Sequence, residues 1–389
     1  MDSVLIIAAE ASSSLYAQRL LEFWRAQGRE LKAFGIGSRD MEKLGFECLG
    51  RSEEMAVVGV QEVLKHLPHI RRVYNELLAQ SDKRKPKFAL LMDYPEFNLK
   101  LAKDLKARGI KVIYYISPQV WAWRTGRIKT IRKVVDHMMV LFPFEEKFYR
   151  DNGVKVDFVG HPLLDELPAP RTQDERKAHR QKFGILDNDI VLGLMPGSRR
   201  SEINHHLKTQ LDTASELMRR NSRVRPVLMV APTLERAEIN SQLKDFPFPI
   251  QLIKESPLDM IDLADVILVA SGTATLMVGL MQKPMVIMYR MNAVTAWLAR
   301  KLVTKTKFFG MANLIMDRLV VPELFQEDAN PKRLADELER TIANPTEYAK
   351  VVGDLAQLQE RLGKKGATEN VARLLAEYFP KAGAQDLRA

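Results

Sequence analysis

Four short stretches place reactive or ligand-holding side chains at the ends of apolar runs. In Phe88-Ala-Leu-Leu-Met-Asp-Tyr-Pro-Glu-Phe-Asn98 the run 88–92 has no helical period and is followed at once by Asp93 and Pro95. That pattern predicts a buried parallel strand delivering a carboxylate at its carboxyl end, where open α/β sheets keep their chemistry. The plainer alternative is that Asp93 caps a helix opening at Pro95. A second run, residues 111–116, passes into Ser117-Pro-Gln-Val-Trp-Ala-Trp-Arg124, and two Trp within three residues beside a Pro and an Arg suggest a lined pocket. The third stretch, Met195-Pro-Gly-Ser-Arg-Arg-Ser-Glu-Ile203, joins a glycine turn, a hydroxyl, two arginines and a helix start. Backbone N–H groups at Gly197 and Ser198 and the Arg199 guanidinium are the right chemistry for a diphosphate, although a structural turn with a solvated Arg is an alternative. No Gly-Lys-Ser/Thr follows, so this is not a Walker A loop. The fourth, Ala270-Ser-Gly-Thr-Ala-Thr-Leu-Met-Val278, again ends a strand and offers amides and hydroxyls to phosphate at a helix start.

Elements must alternate to put four strand ends to use. Residues 4–9 (strand), 15–26 (helix) and 31–35 (strand) make a βαβ opening, and strand and helix then alternate to residue 162, which predicts a mostly parallel, doubly wound sheet. The rhythm breaks into Pro, Arg, Thr and Asp near residues 168–174 and begins again. This predicts two domains, 1–168 and 175–375, with a disordered tail over 380–389. Gly35-x-Gly37 follows the second strand and lacks a third glycine, so it is no dinucleotide fingerprint.

A chain of 389 residues, 46% hydrophobic, has material for two buried cores. The single cysteine, Cys48, excludes an intramolecular disulfide and reads as a buried apolar residue in a reducing compartment. No apolar run approaches membrane-spanning length, and the run at 4–9 is too short for a signal sequence, so the expectation is a cytoplasmic protein. The net charge of +10 implies an anionic partner. Scattered basic residues without a recognised module argue against nucleic acid and favour phosphate-bearing substrates or anionic lipid. The apolar stretch 55–64 is either plain core or a surface for an acyl chain or bilayer. The basic and apolar mix of 293–309 is either an interfacial helix or an ordinary surface helix.

In order along the chain, Asp93 with Pro95 and Asn98, Ser117-Pro-x-Val-Trp-Ala-Trp-Arg124, Phe142-Pro-Phe-Glu145, Gly160-His-Pro162, Pro196-Gly-Ser-Arg-x-x-Glu202, Ser271-Gly-Thr-Ala-Thr275, Tyr289-Arg290, Asn313-Leu314 and Val321-Pro-Glu323 resemble the lipid-A-disaccharide synthase family over residues 4–375. The resemblance implies a GT-B fold of two Rossmann-like domains, an acceptor (lipid) domain followed by a UDP-sugar donor domain. It implies an inverting transferase that needs no metal or other cofactor. Such an enzyme moves 2,3-diacylglucosamine from UDP-2,3-diacylglucosamine to the 6-hydroxyl of 2,3-diacylglucosamine 1-phosphate (lipid X). By this resemblance Asp93 is the base, while Arg199 and Asn313 stabilise the departing UDP. Gly197, Ser198, Arg199, Glu202, Ser271, Gly272, Thr273, Ala274, Thr275 and the position of Met277 hold the donor. Glu10, Ser12, Asn98, Ser117, Trp121 and Trp123 face the acceptor. Association with the inner membrane through its anionic surface and a homodimer are implied in the same way.

Two stretches depart from the family pattern. Its first turn reads Gly-Glu-x-Ser-Gly-Asp, whereas this chain has Ala9-Glu-Ala-Ser-Ser-Ser14, which restricts the turn if position 13 needs positive φ. After Ser-Gly-Thr-Ala-Thr-Leu the family has a Glu suited to the nucleotide ribose, and here Met277 is a poor acceptor. These departures motivate a second reading, a non-catalytic or weakly active relative that binds lipid or a partner protein. A third, a sugar-nucleotide epimerase, is disfavoured by the Trp-Ala-Trp segment.

Overall fold

The computed structural model describes residues 2–55, 60–121, 125–231, 234, 236–244, 246–248, 250–254, 256–291 and 308–379. The chain forms two compact units, Met1–Asp165 with Leu362–Ala389, and Glu166–Arg361. The first holds seven strands: β1 (Asp2–Ala8), β2 (Leu31–Gly37), β3 (Glu47–Arg51), β4 (Phe88–Met92), β5 (Lys111–Tyr115), β6 (His137–Val140) and β7 (Val156–Phe158). They lie in the order β3-β2-β1-β4-β5-β6-β7, and every pairing is parallel. Alternation along each strand feeds two cores. Leu5, Ile7, Ala89 and Leu91 pack on one face, and Val4, Ile6, Phe88, Leu90 and Met92 on the other. A sheet buried on both faces explains why these strands read as unbroken apolar runs.

The second unit repeats the plan with β8 (Ile190–Met195), β9 (Val224–Met229), β10 (Gln251–Ile253), β11 (Val266–Ala270), β12 (Met285–Tyr289) and β13 (Glu323–Phe325), in the order β10-β9-β8-β11-β12-β13. In each unit the strand order reverses direction beside the first strand. The topological switch points therefore lie between β1 and β4 and between β8 and β11, where such sheets bind ligands.

Three features differ from the sequence expectation. The domain range 175–375 assigns the last helix to the second unit, but Ala367–Ala376 packs on the helix Ala11–Ala26 of the first. The reason is apolar cover: Val371, Leu375 and Phe379 complete the core over Phe88, with Phe379 edge-on to Trp24 at 6.0 Å. Strands β3, β12 and β13 escaped the pattern, β3 and β13 because short edge strands of mixed polarity carry no clean period. Cys48 is half-buried rather than in the core, with its thiol 3.0 Å from the Gly50 carbonyl. Residues 56–59 of the stretch 55–64, Trp123, residues 293–307 of 293–309 and the tail 380–389 fall outside the described residues. Among the described residues no helix is long and apolar enough to cross a membrane.

Candidate functional site

Asp93 ends β4 at the first switch point, and its backbone is strained. Asp93 and Tyr94 lie in the left-handed region, with φ of 48° and 47°, a conformation that costs non-glycine residues about 1–3 kcal/mol each and is kept only when its surroundings enforce it. The enforcement is visible. Buried Asn98, on the helix Pro95–Ala107, donates from Nδ2 to the carbonyls of Met92 (3.1 Å) and Asp93 (2.7 Å). The Tyr114 hydroxyl, from β5, donates to the Asp93 carbonyl at 2.6 Å, and the Asp93 N–H reaches the Tyr115 carbonyl at 3.3 Å. The cap reading of Asp93 fails, because the helix N-cap is Tyr94 and Asp93 Oδ1 accepts from the Tyr94 N–H at 2.9 Å. Asn98, expected against the acceptor, is fully buried and instead holds the strand end.

The loop after β1 adjoins this one, since Ala8 pairs with Met92. Glu10 is the N-cap of Ala11–Ala26, Ser12 is exposed, and Ser13 and Ser14 are buried. Ser13 sits inside the helix with no positive φ, and its hydroxyl donates to the Glu10 carbonyl at 2.9 Å. Ser14 Oγ donates to the Ala8 carbonyl at 2.8 Å. The missing Gly-Asp pair is thus absorbed by a serine-built helix start.

After β5, Ile116 also has positive φ (66°), an outlier for a β-branched residue. Ser117 is buried with Oγ 2.7 Å from the Tyr149 hydroxyl. Trp121 is half-buried, and its Nε1–H donates to Glu145 Oε1 at 3.1 Å, while the Phe142 N–H reaches Oε2. Burial pushes the Glu145 carboxyl up to about 7. The rings of Trp121, Phe144, Phe142 and His161 form a train with successive centroids 5.0, 5.5 and 5.3 Å apart. His161 accepts from the Leu163 N–H, and burial pushes it down to about 3, so the imidazole is neutral. Sequence reasoning quoted Phe142-Pro-Phe-Glu145 and Gly160-His-Pro162 as motifs but gave Glu145 and His161 no role. Glu at the third position of a helix that opens with Pro143 was the available signal.

At the second switch point the expected ligand groups serve the loops themselves. Gly197 (φ 128°) lets the turn close on Glu202, for a Cβ there would meet the Glu202 carboxylate at 2.5 Å. Glu202 Oε2 accepts the N–H groups of Ser198 (2.8 Å) and Arg199 (3.2 Å), so of the two amides expected at a diphosphate, Gly197 and Ser198, the second is already occupied by a carboxylate. Ser198 and Arg199 are exposed at the helix start. In the other loop Gly272 and Thr273 are exposed, and Ala274 and Met277 are half-buried. Thr275 is fully buried, with its hydroxyl between the Gly272 carbonyl and the Met311 N–H. Ser271 Oγ donates to the Phe309 carbonyl at 3.0 Å.

Asn313 departs most from its expected role. It is fully buried, and its amide is committed four times: Nδ2 to the Val321 carbonyl (2.8 Å) and Glu323 Oε1 (2.7 Å), Oδ1 from the N–H groups of Val320 (2.7 Å) and Val321 (3.0 Å). Such a side chain has no hydrogen-bonding capacity left for a leaving group. Glu323 in turn receives the Phe309 and Gly310 N–H groups at 2.7 and 2.9 Å. Buried His206, which the sequence did not single out, ties the Pro196 carbonyl to Arg290 across the same end of the sheet.

The solved structures this chain is similar to share its architecture. The UDP-GlcNAc 2-epimerase of Neisseria meningitidis bound to UDP-GlcNAc superposes with a TM-score of 0.62 at 12% identity, over 96% of this chain and 99% of that one. Acinetobacter baumannii MurG gives 0.57 at 14%, over 97% and 100%. At such identity the likeness shows the GT-B fold alone. Sequence relatives reach further. The lipid-A-disaccharide synthase of Myxococcus xanthus is 38% identical over 377 residues, and that of Geobacter sulfurreducens 39% over 378, each covering 97% of both chains. A family model described as lipid-A-disaccharide synthetase matches residues 4–377. With the motif loops set at both switch points and this match along nearly its whole length, the chain belongs to the lipid-A-disaccharide synthetase family.

Proposed function

We propose that the chain transfers 2,3-diacylglucosamine from its UDP ester to the 6-hydroxyl of 2,3-diacylglucosamine 1-phosphate, with inversion and without metal. The observation that carries this reading is the Asp93 carboxylate, held at the first switch point by a strained, four-bonded strand end, in a chain of this family. In the step itself, the acceptor O6 attacks the anomeric carbon of the donor. The C1–O6 bond forms as the bond from C1 to the diphosphate breaks, the O6 proton passes to Asp93, and UDP leaves as an anion. Arg199, exposed at its helix start, receives the growing negative charge, with the Gly272–Thr273 edge of the second loop beside the donor. Asn98, Asn313, Thr275 and Glu202 act as positioning residues in this account.

Glu10, Ser12 and the Trp121 loop are assigned to the acceptor side. The net charge of +10 suits a membrane surface carrying anionic lipid, where both acylated substrates reside. A homodimer rests on family likeness alone. The test is a transferase assay with purified protein and both acylated substrates in the absence of metal, following disaccharide and UDP. Disaccharide and UDP in equal amounts are the expected outcome, and no product from folded protein across several acyl lengths would remove this reading.

A further inference from the structure

A cavity of about 220 Å³ opens at the carboxyl ends of β11, β12 and β13, in the second unit, against the loop that begins at Ser271. Its wall is apolar: Ile287, Tyr289, Leu319, Leu324, Phe309 and Phe325 line it. The rings of Phe309 and Phe325 stack at 5.3 Å, and Tyr289 stacks on Phe325 at 6.3 Å. Of the three polar side chains in the wall, Ser271, Glu323 and Tyr289, the first two are already engaged with the protein. Ser271 Oγ donates to the Phe309 carbonyl, and Glu323 takes two backbone N–H groups and the Asn313 amide. Beyond the Tyr289 hydroxyl the wall then has little left to offer a polar ligand, and its stacked rings and aliphatic side chains suit a hydrocarbon. Leu319, 63% exposed, and Phe309, 48% exposed, stand at this cavity and are two of the five large hydrophobics most exposed among the described residues. An apolar patch maintained in water beside a substrate loop marks a binding surface.

We infer that this cavity is the seat of an acyl chain of the sugar-nucleotide donor. The inference rests on the transferase reading above, and it is assigned to the donor because Ser271 belongs both to the cavity wall and to the loop placed beside the donor. An acyl chain there fixes the donor by a contact that the nucleotide does not supply.

The experiment compares donors carrying long acyl chains with donors carrying acetyl groups in their place, on wild type, Leu319→Asp and Leu319→Met. Leu319 is exposed enough for all three to fold. The expected result is a rise of about tenfold in KM for the long-chain donor in Leu319→Asp, with KM for the acetylated donor, affinity for UDP and the Leu319→Met variant all unchanged. Equal effects on both donors, or none on either, would overturn the assignment. So would a loss of binding to anionic vesicles with KM unaltered in detergent, since the patch would then be a membrane contact. Failure of the wild type to make disaccharide from either donor would instead overturn the transferase reading, and the acyl seat with it.

Discussion

The two switch points are built on one plan and spend their polar residues differently. In the first unit buried groups, Asn98 and Tyr114, bond to backbone carbonyls and hold a strained strand end that carries Asp93. In the second, Glu202, Thr275, Asn313 and Glu323 close the loops upon themselves, leaving Arg199, Gly272 and Thr273 at the surface. The difference fits the role proposed for each. A base needs one carboxylate held in one place, whereas a diphosphate needs a rigid rim with a cation at its edge.

Asn313→Ala tests the loop-closing half of this contrast. It leaves the buried Val320 and Val321 N–H groups and the Val321 carbonyl without their Asn313 partner and takes one of three donors from Glu323, so the expected loss is about 3 kcal/mol of stability, read from denaturant unfolding. Wild-type stability with lost turnover would return Asn313 to a direct role. Glu145 probes the first unit by pH. Its folded-state value of about 7 lies above the ordinary 4.5, so its stabilising contribution is fully present below about 4.5 and is lost as pH rises through 7. The span corresponds to roughly 3 kcal/mol, and Glu145→Gln should abolish that pH dependence in thermal melts while keeping the Trp121 contact.

Arg199→Ala should weaken UDP binding by about 2 kcal/mol, roughly thirtyfold, at unchanged stability. A calorimetric titration that shows unaltered affinity would mean that the cation of the second rim lies elsewhere. The smallest effect expected is that of Met277→Glu, which restores the ribose acceptor found in the family and should tighten UDP by about 1 kcal/mol. Weaker binding would show that the loop has adapted to the thioether.

The sequence revealed strands and strand ends well because a sheet buried on both faces writes itself as continuous apolar runs, as at 4–8 and 88–92. It revealed the loops through Gly, Ser and Thr after such runs. It did not reveal which polar residues face inward: Asn98, Thr275 and Asn313 lie in the same motifs as exposed Thr273 and Arg199, and only tertiary burial separates them. Glu202 was expected to hold the donor, although its place three residues after Arg199 was an available signal for the helix-start carboxylate that it forms. The return of the last helix to the first unit was hidden for another reason, since an amphipathic helix does not name the face it covers.

Asp93→Asn tests the central claim most directly, because it removes the proton acceptor and keeps the shape that Asn98 and Tyr114 hold. Disaccharide formation should fall by about 10²–10⁴-fold, with UDP affinity and melting temperature as in the wild type. Turnover equal to wild type would contradict the account and move the base to another residue.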